Sequence, residues 1–144
     1  MKIRFLVSIC LILATAFQFA GAVELPKTPS PEGAEVYFIW PKDGKTVGKT
    51  FTVRFGLKGM GVAPAGVDLP NTGHHHLIIN MDELPNLNLP LPMNDNVRHF
   101  GGGQTEARIT LEPGTHTLQL VFADKIHLAH SPAVISEKIT ITVK

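Results

Sequence analysis

Seven histidines stand in a chain that has one tryptophan, one tyrosine and one cysteine. Six of them fall in three short stretches: His74, His75 and His76 are consecutive, His99 precedes Phe100 and three glycines (Gly101 to Gly103), and His127 and His130 lie close together. Imidazole is a ligand for zinc, copper, nickel and iron. On a strand, residues two apart face the same way at roughly 6.6 Å spacing. His74 and His76 can therefore bend toward one cation at metal–nitrogen distances of about 2.0–2.1 Å. The strand presets two ligands, and a neighbouring loop supplies the rest. His99, His127 and His130 are the candidates to complete the site, and each reads equally as a solvated loop residue. Met60 is a candidate soft addition.

The other two histidines read differently. His75 points away from its neighbours, along with Leu77 and Ile79, and reads as a hydrogen-bonded residue at the edge of the core. His116 follows Gly114-Thr115 and precedes Leu118, and reads as a corner cap. Met60, Met81 and Met93 lie in loops flanking the histidine strand. Thioethers favour Cu(I), although loop methionines also serve as gap-fillers. Copper is the first expectation and zinc the second. Asn94-Asp95-Asn96 offers oxygens but lacks the ordered acidic loop of a calcium site.

Other chemistries find less support. No glycine-rich loop precedes a helix, and the GGGQ at 101–104 reads as a backbone bend opening a strand. A catalytic zinc needs an open position and a base, for which Glu106 and Asp124 are candidates by sequence position alone. Ser131 sits between His130 and Pro132 with no nucleophile elbow around it.

The N-terminus sets the compartment. Lys2 and Arg4 precede an uncharged apolar run from Phe5 to Ala20, and Ala20-Gly21-Ala22 is a small-x-small cleavage site. This is the pattern of a secretory signal peptide, with the cut expected between Ala22 and Val23. The run is short for a membrane span. Export to the periplasm or beyond follows, with no membrane association after cleavage. Cys10 leaves with residues 1–22, so the mature chain has no disulfide and no thiolate, which excludes a blue-copper His₂Cys site. Of 13 basic and 12 acidic residues, Lys2 and Arg4 leave too. The remainder has no basic footprint for nucleic acid.

The mature chain is one domain by size. Residues 23–33 are a proline-rich extended lead-in, and 34–144 carry short strands. Thr50 to Leu57 alternates Phe51, Val53, Phe55 and Leu57 with polar residues. Further strands are expected at 34–40, 74–80, 105–111, 115–122 and 134–143. Residues 105–111 and 115–122 read as a hairpin around Glu112-Pro113-Gly114. Met81 to Gly103 is long and carries prolines at 85, 90 and 92, so it is either functional or hides an edge strand. No helical period is present. The expected fold is all-β, an immunoglobulin-like antiparallel β-sandwich of about seven strands. In that topology residues 74–76, 99, 127 and 130 share one end and His116 the other.

The stretches GMGVAPAG (59–66), TGHHHLII (72–79), HFGGGQTE (99–106), PGTHTLQL (113–120) and HLAHSPAVIS (127–136) resemble the bacterial exported family catalogued as domain of unknown function 4399. The family often ends its histidine strand with Asp, where this chain has Asn80. The resemblance implies an exported single-domain protein and brings no activity with it. The residues therefore carry the functional expectation: a periplasmic histidine-rich protein that binds, delivers or buffers copper or zinc. A metal-dependent enzyme at the same cluster and a metal-independent ligand- or protein-binding module are the alternatives, with binding read ahead of catalysis. The metal ion is the expected partner, and another periplasmic protein is a second candidate. With unperturbed imidazoles near pKa 6.5, metal binding would weaken as pH falls toward 5.

Overall fold

A computed structural model describes residues 25–144, which form strands and turns and no helix. The expected signal peptide (1–22), its expected cleavage point and the first residues of the lead-in lie outside the described residues. Two sheets form. The smaller has the order β1 (Glu35–Trp40), β3 (Thr50–Lys58), β7 (Glu106–Thr110), all antiparallel. The larger runs β2 (Thr46–Val47), β10 (Ile139–Val143), β8 (Gly114–Ala123), β5 (Thr72–Ile79), β4 (Gly61–Val62). In addition β6 (Val97–His99) pairs with β5, and β9 (Ala129–Ile135) pairs with β8. The β2–β10 and β4–β5 pairs are parallel and only two residues long.

The period-2 pattern explains the layering. Phe51, Val53 and Phe55 of β3 join Val36, Phe38 and Ile109 on the inner face of the small sheet. Leu77 and Ile79 of β5, Leu118, Leu120 and Phe122 of β8, and Ile139, Ile141 and Val143 of β10 meet them from the large sheet. These residues make one apolar core between two layers. The outer face of the large sheet is also covered. Ile78, Val97, Val121, Ala123, Leu91 and Ala129 form a second apolar cluster there, with Met81, Leu84 and Leu87 packed on it. The segment 81–103 is thus a cover over β5, and it contains the edge strand β6. Asn94 starts that strand: its side-chain oxygen accepts from Asn96 N and Val97 N, both at 2.9 Å. β5 is consequently buried on both faces, which is why its sequence is not a clean apolar–polar alternation.

Two expectations are corrected. The strands around Glu112-Pro113-Gly114 are not a hairpin. β7 pairs with β3 and β8 pairs with β5, so the turn carries the chain from one sheet to the other. His116 fastens this corner. Its Nε2–H donates to the Glu112 carbonyl at 2.8 Å, and its Nδ1 accepts from the Asn80 amide at 2.9 Å. The predicted single strand 134–143 is two. Ser136 interrupts it, because its backbone N–H donates to Leu120 O and its hydroxyl oxygen accepts from Leu120 N. β9 and β10 therefore lie in succession along one side of β8.

Candidate metal centre

β5 presents His74 and His76 on its outer face and His75 on its inner face. The β5–β6 register sets His99 directly opposite His76, and the β5–β8 register sets His74 opposite Ala123. The chain turns back just after Ala123, and that turn carries His127. Three segments distant in sequence therefore deliver four imidazoles to one place. Ring centroids lie 4.8 Å apart for His74 and His76, 4.9 Å for His74 and His99, and 5.1 Å for His74 and His127. His99 and His127 approach to 4.7 Å, with their Nε2 atoms 3.1 Å apart. His74, His99 and His127 each offer one nitrogen, and these three atoms all lie within 4.8 Å of one another. Nitrogens around a tetrahedral metal are separated by about 3.4 Å, given bonds of 2.0–2.1 Å. Small ring rotations would close that gap. His76 stands beside this trio, 5.1 Å from His99 and 5.9 Å from His127 between centroids.

The burial is uneven. His74 and His76 are 0% exposed, whereas His99 and His127 are half-buried, so the cluster opens to solvent on their side. Neither ring nitrogen of His74 or of His76 has a hydrogen-bond partner. Buried polar atoms are almost always paired, since each unpaired one costs about 1–3 kcal/mol. A metal ion held by both rings would satisfy one nitrogen of each.

Electrostatics favour the neutral, ligating form. Burial first, then the neighbouring His99 and His127, lower the His74 pKa to about 4. Burial and His74 lower that of His76 to about 2. His99 is lowered by burial and by His127. None of these three rings needs to lose a proton to accept a metal at neutral pH.

The turn bearing His127 is strained and firmly held. His127 has φ 68°, the left-handed region that costs a non-glycine residue roughly 1–2 kcal/mol. His127 N donates to Asp124 O, Asp124 N to Leu128 O, and Leu91 N to His127 O, each at 2.9 Å. The Asp124 carboxylate is buried inside the turn. Its Oδ1 accepts from Ile126 N and Leu128 N, both at 3.0 Å.

Two predicted ligands lie elsewhere. His130 sits on the core side of the sheet, stacked on Phe122 at 5.9 Å and 14°. Its nitrogens lie 3.3 Å from Phe122 O and 3.2 Å from Thr72 O. Three residues after His127, β9 has already turned its side chain to the other face. Met60 packs against the main core. Met93 is largely exposed and Met81 packs on the outer apolar cluster, so none of the three methionines among the described residues is placed with the four rings. His75 is not at the core's edge. It is buried, stacked on Phe55 at 4.9 Å and set edge-on to Phe122 at 5.0 Å, with both nitrogens unpartnered. Both candidate bases are committed: Asp124 to its turn, and Glu106 to an exposed ion pair with Arg54 at 3.2 Å.

Residues 53–144 match the family described as Domain of unknown function (DUF4399). The chain belongs to this family. The matched span includes all four clustered imidazoles of the DUF4399 chain. No curated protein matches it. Among solved structures the chain is similar to an endo-beta-1,4-mannanase from Thermotoga petrophila, at 20% identity and a TM-score of 0.46, over 77% of this chain and 20% of that one. Asn80, at the far end of β5, belongs to the His116 corner rather than to the cluster.

The residue pattern presents Gly101 only as part of a backbone bend, yet it shapes the candidate site of the DUF4399 chain. A Cβ there would lie 2.1 Å from His99 Cε1 and 2.4 Å from its Nε2. Gly101→Ala is expected to push the His99 ring out of the cluster while leaving the strands in place. Zinc titration should show affinity reduced by about tenfold or more, with an unchanged far-ultraviolet circular dichroism spectrum. Unaltered affinity would show that the His99 ring is not needed where it stands.

Proposed function

We propose that this DUF4399 protein works in the periplasm as a metal-binding protein. It takes Cu(II) or Zn(II) at His74, His76, His99 and His127 and holds the ion for delivery or buffering. The observation that carries this reading is the pair of fully buried imidazoles with unpartnered nitrogens, His74 and His76, inside a four-ring cluster. His75 has orphaned nitrogens too, but it packs against Phe55 and Phe122 on the opposite face of β5, away from the clustered imidazoles. With Met60 away from the site, the argument for ranking copper first falls, and an all-nitrogen donor set suits Cu(II) and Zn(II) alike. The half-buried His99 and His127 give an ion its way in and out. The commitment of Asp124 and Glu106 elsewhere favours binding over hydrolysis. The sheet-crossing corner under His116 supports an immunoglobulin-like arrangement of the sandwich.

Protein exported to a periplasm and purified without a His tag tests the proposal. It is expected to carry or take up one Cu(II) or Zn(II) per chain, to release it to a chelator, and to melt at higher temperature when loaded. Absence of retained metal, together with no thermal shift from either ion, would refute the function.

A further inference from the structure

The segment preceding β1 is docked on the molecule beside the metal cluster. Pro29 bridges to Ser131 of β9 in parallel. Ser131 N donates to Thr28 O at 2.9 Å, and Ser30 N donates to Ser131 O at 3.1 Å. The Ser30 hydroxyl donates to Pro132 O at 2.7 Å. These bonds bring the Thr28 hydroxyl to the Asp124 carboxylate, where it donates to Oδ2 at 2.6 Å.

Both oxygens of Asp124 are therefore engaged, from two sides. Oδ1 holds the turn that carries His127, and Oδ2 is held by a residue 96 positions earlier in the chain. The geometry points to a latch in which Thr28 fixes Asp124, and Asp124 fixes the strained turn that aims His127 into the metal cluster. This inference rests on the metal-binding reading above and adds to it: residues 28–30 complete the site although none of them is a ligand. Thr28 is a positioning residue. Without its hydroxyl, Oδ2 loses its protein donor, the carboxylate is held through Oδ1 alone, and the two bonds to Oδ1 that brace the turn with His127 at φ 68° loosen. Groups that orient metal ligands from behind typically change affinity by about 10–100-fold when removed.

Thr28→Val keeps the backbone bonds of the segment and puts a methyl group, which cannot donate, in place of the hydroxyl. Calorimetry with Zn(II) on wild type, Thr28→Val and Thr28→Ser tests the latch. The thermal midpoint of each metal-free protein is measured alongside. The expected result is affinity lowered by about tenfold in Thr28→Val and restored in Thr28→Ser, with a metal-free midpoint for Thr28→Val lowered by the loss of one hydrogen bond to a buried carboxylate and recovered in Thr28→Ser. A wild type that binds zinc while Thr28→Val binds it equally well overturns the latch and leaves the metal site standing. Failure of Thr28→Ser to restore affinity also overturns it, because the hydroxyl is then not the operative group. A wild type that binds no metal overturns the metal reading itself.

Discussion

Replacing His74 and His76 together with alanine is expected to weaken Cu(II) or Zn(II) binding by at least roughly 100-fold. Groups that merely orient a ligand already account for factors of about 10–100, and here two of the four imidazoles disappear. His99 and His127 alone are half-buried and cannot enclose an ion. The loss should appear in stability as well as in a titration. A ligand at 100 times its dissociation constant stabilises the folded state by about 2.7 kcal/mol. Wild type should gain that increment on loading, and the double variant should gain nothing at the same metal concentration. His75→Phe is the matched control. It sits between the two ligands in sequence but on the opposite face, against Phe55 and Phe122. It should keep wild-type affinity even if its stability changes. If the double variant binds as tightly as wild type, or if His75→Phe loses binding to the same extent, the outer-face cluster is not the site.

The part of this arrangement legible in the sequence is the part governed by the two-residue period of strands. That period alone puts His74 and His76 on one face and His75 on the other, and it identifies β3 and most of the core. The failures have local physical causes. β6 is three residues long and follows a proline-rich run, so no periodicity can mark it, although it is what sets His99 opposite His76. Glu112-Pro113-Gly114 has hairpin chemistry, but the strands it joins bury Ile109 and Leu118 from opposite layers of the core, which requires a crossing. His127 and His130 look equivalent in the sequence. A positive φ at His127 turns one toward the cluster, and entry into β9 turns the other away. Gly101 reads as a bend, when its further role is the space it leaves for the His99 ring. Asp124 stands out in the sequence only as a candidate base, whereas its bonds to Thr28, Ile126 and Leu128 make it the holder of a turn.

The metal-free protein should lose stability steeply between pH 6.5 and about 4. An unfolded histidine takes its proton near pH 6.5. In the folded protein burial holds His74 and His75 to about 4 and His76 to about 2. As pH falls through this window the unfolded chain binds protons that the native state refuses, so each step favours unfolding. Stability from these groups is thus fully present above pH 6.5 and is lost on the acid side. Each such histidine forfeits about 1.4 kcal/mol for every pH unit descended between its unfolded and folded pKa, so the three together cost several kcal/mol. That is a large share of the roughly 5–15 kcal/mol that keeps a domain folded. The same depression bears on binding. Protons begin to compete for His74 and His76 well below the unperturbed value, so these two ligands remain available to a metal through pH 5. Urea unfolding of chelator-treated protein at pH 7.5, 6 and 5 would show the trend as a falling midpoint. The His74→Ala/His76→Ala variant should flatten it, leaving the contributions of His75 and His99. A wild-type midpoint that does not move between pH 7.5 and 5 would mean that the imidazoles are not buried uncharged, and the unpartnered nitrogens would then need another explanation.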